Sequence, residues 1–281
     1  MRGRVYKVKN FRTIHSVQEV KKLKNPPQFF DTMLSEVIAA ISLLPMIAYV
    51  RMRKRLLGFT AWFIFAIACL TKIPDYIKAV DYYNTAVFLL AFIFFLLLSV
   101  SILKKNSEVF VEVTAFSALA CAVYFPFAFV SSLNTWIINT TATLTVTLGN
   151  FIGFSMENYG DEIVLNGKKV QIILACTAIE SIALFTGATL GIKADRMRKV
   201  KAFLISVPVI YILNLFRNVF VSVAFAYSWF GENSFYIAHH VVAKVLSTIA
   251  LILIAYTVFR ILPELAELIY SLKDEMFRGA G

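Results

Sequence analysis

Three stations in the carboxyl-terminal third of the chain could do covalent chemistry. Cys176 lies in Ala175-Cys176-Thr177-Ala178-Ile179-Glu180-Ser181, Arg217 in Asn214-Leu215-Phe216-Arg217-Asn218, and His239 sits beside His240. Each falls inside a long apolar stretch, where ionisable side chains are costly and mark function. A thiol attacks only as its thiolate, and an unperturbed thiol ionises near about pH 8.5. An imidazole can take that proton and return it to a leaving amine. Arg stays protonated, so it serves as a stabiliser of thiolate or oxyanion rather than as a base. Together the three types suit acyl transfer from a peptide bond through a thioester. Singly, each has a bland reading: a small core residue, a snorkelling cation, a packed ring. Cys69 and Cys121 take that reading.

The elements that must position these residues are membrane helices. The chain has 281 residues, 59% of them hydrophobic, and a mean hydropathy of +0.73. A soluble domain is nearer half apolar, so the fold class is an all-α polytopic membrane protein. Runs of about 20 apolar residues give about seven spans, near 33–50, 56–73, 84–103, 108–131, 171–192, 202–228 and 235–262. The formal charge of +11 would point to nucleic acid in a soluble protein. Here the basic residues flank apolar runs, at 51–55, at Lys104-Lys105 and at 193–201. The positive-inside bias puts these loops in the cytoplasm and leaves 74–83, 132–170 and 229–234 outside. Residues 1–32 then fall outside despite eight Lys and Arg, so the terminus is external or a pass has been missed, and 33–50 could be re-entrant. They lack the apolar run of a cleaved signal peptide.

On this topology Cys176 lies one turn inside the outer surface, roughly 8 Å deep at 1.5 Å per residue. Arg217 lies roughly 23 Å from the inner surface, and His239 again one turn in from outside. The three converge on one outer-leaflet depth. Cys176 and Glu180 are i,i+4, as are Asn214 and Asn218, with Arg217 between them. Glu180 is expected to pair with Arg217 or a His, because an unpaired charge there is costly.

The chain is expected to form a single integral membrane domain, 1–281. It comprises a polar basic amino-terminal segment (1–32), an extracellular loop with a hairpin (132–170) and the catalytic helices (171–262). Asn139-Thr140-Thr141 is a glycosylation sequon in that loop. Residues 132–155 are Thr-rich and fit an interfacial helix or a strand. Glu162 to Gln171 carries Asn166-Gly167 between β-formers, the strongest short hairpin signal. That hairpin is either an ordinary surface turn or an edge that delivers an extended peptide to the thiol. The three cysteines form no CxxC and no metal spacing, and no cofactor is implied.

At these residues the chain resembles the exosortase/archaeosortase family of membrane cysteine transpeptidases. Ala175 to Ser181 looks like the family's Ala-Cys-Ser/Thr-Gly block, Phe216-Arg217-Asn218 like its Arg block, and Ala238 to Lys244 like its Ala-His-Asn-Val-Ile-Gly block. Thr177 favours the archaeosortase side. Ala178 stands where the family often has Gly, His240 where it has Asn, and Ala243 where it has Gly. The Ala-His alignment favours His239 as the acid/base, with His240 the alternative. The resemblance implies Cys176 as nucleophile, Arg217 as charge stabiliser, and Glu180, Asn214 and Asn218 in support. It implies substrates that are exported surface proteins with a carboxyl-terminal sorting signal. It also implies a membrane-lipid acceptor, an active site facing outside, and an archaeal cell. Two other readings stand beside it: a peptidase that only hydrolyses, and a transporter with Glu180, Arg217 and His239 along a polar route. No internal repeat of the transporter kind is present.

Overall fold

The computed structural model describes residues 26–78 and 81–277. The basic stretch that conflicts with the expected topology lies outside the described residues up to 25. Helices α1 (Pro26–Ile41) and α2 (Leu43–Met52) meet at Ser42 and together carry an apolar run over Leu34–Met52. At that junction the Ser42 hydroxyl donates to the Ala39 carbonyl at 2.6 Å. Then follow α3 (Arg55–Lys78), α4 (Tyr82–Lys104) and α5 (Glu108–Phe129), each over 20 residues and apolar. Lipid offers no hydrogen-bond partners, so such runs satisfy their backbone internally as helices. Helix α8 (Arg196–Ala226) and the apolar element Gly231–Ile261 are long and apolar enough to cross as well. Six spans result among the described residues.

The seventh expected span, 171–192, takes a different form. Its only α-helix is α7 (Ile179–Leu190), 12 residues long. At 1.5 Å per residue that is about 18 Å, short of a hydrocarbon core about 30 Å thick. The preceding residues are the end of a strand, then a 3₁₀ turn. Helix α7 packs closely on α5, because Gly187 and Gly191 bring its backbone against Phe116. A Cβ on Gly187 would stand 2.6 Å from the Phe116 carbonyl oxygen. Close backbone approach at small residues is a common way for membrane helices to pack.

The segment expected as an outer loop is largely ordered. Residues Ser131–Ile152 form helix α6, whose Thr hydroxyls turn back onto their own helix. Thr145 donates to the Thr141 carbonyl at 2.7 Å and Thr147 to the Thr143 carbonyl at 2.9 Å. The expected hairpin is present and gains a strand. Strands β1 (Glu157–Tyr159), β2 (Glu162–Leu165) and β3 (Lys168–Gln171) form one antiparallel sheet in the order β1-β2-β3. The β2–β3 turn has Asn166 at φ 51 and Gly167 at φ 71, the paired positive φ of a type I′ hairpin.

Two cores hold the molecule together. The larger one joins the spans around Trp62, Tyr49, Phe110, Leu98 and Ile102. Its buried Trp62 indole donates to the Thr114 hydroxyl at 2.9 Å. The smaller one seats the sheet on α6 and α8. In it Ile163, Leu165 and Ile172 pack against Ala142, Val146, Val219 and Val223, with Cys176 at its edge.

The basic loops gather at the end away from the sheet. Arg53 and Lys193 both pair with Glu108, the latter at 2.6 Å, and Lys105 pairs with Glu275 at 2.6 Å. Beyond 262 the described chain continues as one helix. After the segment α9 (Ser234–Tyr236), a π-helical turn Ile237–Val242 and α10 (Ala243–Ile261), an amphipathic helix α11 (Pro263–Phe277) packs back through buried Leu265 and Leu268. Arg198 of α8 holds it by donating to Glu264 at 3.1 Å.

Candidate active site

The site is assembled around Cys176, which does not lie on a membrane helix. Strand β3 ends at Gln171, Ile173 is extended, and Leu174–Cys176 form a single 3₁₀ turn. In that turn the Cys176 amide donates to the Ile173 carbonyl at 2.8 Å and Thr177 to that of Leu174 at 3.0 Å. Ala178 then adopts a left-handed conformation, φ 59, which sets the direction of α7. This is the position where the resembling family often has Gly, the residue that adopts positive φ without strain. Thr177 is fully buried. Its hydroxyl donates to the Leu174 carbonyl at 2.7 Å and accepts the Ile179 amide at 3.4 Å, which ties the turn to the first residue of α7.

Helix α8 grips this turn by its backbone. Asn214 and Asn218, four residues apart on one face, both donate their side-chain amides to the Cys176 carbonyl, at 2.7 and 3.0 Å. Both asparagines are buried. Arg217 lies on the same turn of α8, and its guanidinium stands 3.4 Å from His239 Nε2. The residues flanking the cation therefore hold the residue bearing the thiol, and the cation touches the imidazole. Among the described residues no hydrogen bond joins the Cys176 thiol to Arg217 or His239. Catalytic contacts are often absent without substrate and form only in the complex.

The two histidines differ sharply. His239 is half-buried, stacks on Phe235 with centroids 5.5 Å apart, and faces Arg217. His240 is exposed and leans on Tyr236. Both ride the π-helical turn, an arrangement that occurs frequently at functional sites. A guanidinium can only donate, so the Arg217 contact requires a lone pair on His239 Nε2. The ring proton then belongs on Nδ1, and Nδ1 is buried without a partner.

Glu180 departs from expectation. The helix begins only at Ile179, so Cys176 and Glu180 share no helical face. The carboxylate lies within electrostatic reach of Glu36, Tyr76 and Tyr124, away from Arg217 and the histidines. Among the described residues it forms no ion pair with them, and the salt bridge on that side links Lys72 and Glu36 at 4.0 Å.

One pair of positioning residues gave no signal in sequence. The Lys168 ammonium donates to the Phe225 carbonyl and the Ser228 hydroxyl, both at 2.7 Å, and Asn166 donates to the Ala226 carbonyl at 3.3 Å. Helix carbonyls at a carboxyl terminus lack internal partners and favour a cation. The hairpin tip satisfies them and so pins the sheet to the helix that carries Arg217. A cavity of about 410 Å³ opens below Arg217 between α8 and α10. Among the described residues no cluster of His, Cys, Asp and Glu could hold a metal ion.

Comparison with known proteins decides the lineage. The model of the transmembrane exosortase (Exosortase_EpsH) family matches residues 33–256. The chain belongs to that family. It is also similar to archaeosortase A of Haloferax volcanii, 26% identical over 245 residues that cover 74% of this chain and 81% of the relative. A second archaeosortase A, from Natronomonas pharaonis, is 28% identical over 120 residues, 36% of this chain and 38% of that one. No solved structure matches. This exosortase is thus a multi-pass membrane protein and a protein-sorting, processing enzyme, as the three sequence blocks implied.

Proposed function

We propose that the chain is a cysteine transpeptidase that removes the carboxyl-terminal sorting signal of exported surface proteins at the outer face of the membrane. Cys176 is the nucleophile, Arg217 the charge stabiliser and His239 the proton carrier. The observation that carries this reading is the single turn of α8 that holds the Cys176 carbonyl through Asn214 and Asn218 while Arg217 reaches His239.

In the reaction, the substrate carbonyl oxygen draws the Arg217 guanidinium from the imidazole, since its fork of five donors suits an oxyanion. His239 Nε2 is then free to take the thiol proton. The Cys176 sulfur bonds to the carbonyl carbon, the peptide C–N bond breaks, and His239 passes its proton to the leaving amine. An amine on a membrane lipid next attacks the thioester. The C–S bond breaks, the amine's proton goes to His239, and the thiol is restored. The similarity to archaeosortases favours transfer over hydrolysis. It also supports an archaeal membrane as the setting, and the positive-inside bias favours the sheet end outside.

The test is expression of Cys176→Ala with a tagged substrate. The variant accumulates full-length substrate with its tail attached, and normal processing would sink the reading. Mass spectrometry of the wild-type product separates transfer from hydrolysis by a lipid adduct or a free carboxylate.

A further inference from the structure

The cavity below Arg217 is at membrane depth, because both of its main walls belong to elements long and apolar enough to cross a bilayer. Its upper end is marked by Arg217, Phe220 and Ala243, its lower end by Ile210 and Ile254. Ten to eleven residues of helix separate these levels, about 15 Å at 1.5 Å per residue. A slot of that length with a volume of about 410 Å³ has room for a polymethylene chain, whose wall carbons stand about 4 Å away.

The lining agrees. The walls include Ile210, Ala243 and Ile254, all buried, while the rim residues Leu213, Phe216 and Leu246 are 41%, 47% and 57% exposed. The slot therefore opens sideways, where the bilayer lies. At its head stands Arg217, which pairs with no carboxylate among the described residues and touches only the neutral His239 ring. A cation at the head of an apolar slot complements an anion at the head of an apolar chain.

We propose that this slot holds one hydrocarbon chain of a membrane phospholipid, with the headgroup phosphate on the Arg217 guanidinium. Binding itself does not depend on the processing reading. The consequence does rest on it: a lipid so seated holds its headgroup beside the Cys176 thioester and is the acceptor.

The experiment uses full-length protein in vesicles that carry a phosphatidylethanolamine or a diacylglycerol, each with a photoreactive diazirine on one chain. Peptide mapping after illumination is expected to find adducts at Leu213, Leu246 and Ala250. They should be at least tenfold more abundant with the phospholipid. Equal labelling by the two lipids, or adducts spread over other lipid-facing helices, would overturn the proposal. Ala250→Trp fills the slot about two helical turns below Ala243 and leaves the proposed catalytic residues intact. It is expected to lose the labelling and to release substrate with a free carboxylate while tail removal continues. Loss of tail removal with labelling retained would assign the slot to the substrate instead. The wild-type labelling stands even if that variant fails to fold. Labelling in Cys176→Ala together with undiminished processing would refute the transpeptidase reading and leave the lipid site in place.

Discussion

The grip of α8 on the Cys176 carbonyl makes a quantitative prediction. Asn214 and Asn218 each donate one hydrogen bond to the same oxygen, at 2.7 and 3.0 Å. Replacing either by Leu removes a donor and keeps similar bulk. A carbonyl left with one partner is still satisfied, so each single variant loses about 1 kcal/mol, roughly a fivefold drop in the population of the seated turn. If the two sites were independent, the double variant would lose about 2 kcal/mol, roughly thirtyfold. They are not independent, because the double variant orphans the carbonyl at low dielectric. That adds about 1–3 kcal/mol and brings the total loss to roughly 10²- to 10⁴-fold. Misplacement of a catalytic group by about 1 Å costs about 10²-fold, so the loss falls on the processing rate. The assay is the rate of substrate tail removal in isolated membranes, with thermal melting of each purified variant as a control. A double variant no worse than the product of the singles would refute the shared-acceptor argument. So would single variants at the wild-type rate.

Three further predictions concern neighbouring residues. His239→Ala is expected to lower processing by about 10²- to 10⁴-fold, the range for a general acid–base. The same change at the exposed His240 should cost no more than a few-fold, and the reverse order in a rate assay would reassign the proton carrier. Ala178→Gly relieves a left-handed backbone and should retain activity with unchanged or higher melting temperature, whereas the β-branched Ala178→Val should lose about 1–2 kcal/mol of local stability. Equal behaviour of the two variants would count against the φ of that residue. Gly187→Val forces a side chain into the Phe116 backbone and should cost about 1–3 kcal/mol. A melting curve like the wild type would show that α7 does not pack there.

The membrane frame was legible in sequence because lipid imposes one solution on a long apolar run. Residues 56–73, 84–103 and 108–131 all fall inside helices of the structure apart from Val130, with Ser131 already the start of α6. Residues 171–192 misled for a physical reason. Ile172 is apolar because it fills the core under the sheet, and hydropathy does not distinguish that burial from lipid. The break at Ala178 was equally silent, since Ala favours helix and only a Gly would have advertised positive φ. Residues 132–155 were ambiguous because threonines favour strands. Their hydroxyls bond within helix α6 instead. The Asn166-Gly167 turn was plain from its type, but its attachment to the end of α8 joins residues some 60 positions apart and left no local mark. The same holds for the choice between His239 and His240, which only the fold of the π-helical turn separates.

The placement of the thiol off the helix has a mechanistic consequence. Inside a helix the Cys176 carbonyl would accept from the amide four residues on, and it would have little need of Asn214 and Asn218. The 3₁₀ turn and the left-handed Ala178 break that ladder. They free the carbonyl for α8 and turn the chain so that the cysteine sits at the end of a strand and the head of a short helix. The site is then fixed by three contacts from one long helix: two amides on the Cys176 carbonyl and one guanidinium on the His239 imidazole. The pins from Lys168 and Asn166 keep the sheet, and with it the turn, in register with that helix. The thiol has no hydrogen-bond partner among the described residues. A rigid backbone with a free thiol and a guanidinium resting on neutral imidazole is what a substrate carbonyl needs to meet. In the proposed reaction its arrival gives the guanidinium an oxyanion to hold and frees the Nε2 lone pair for the thiol proton.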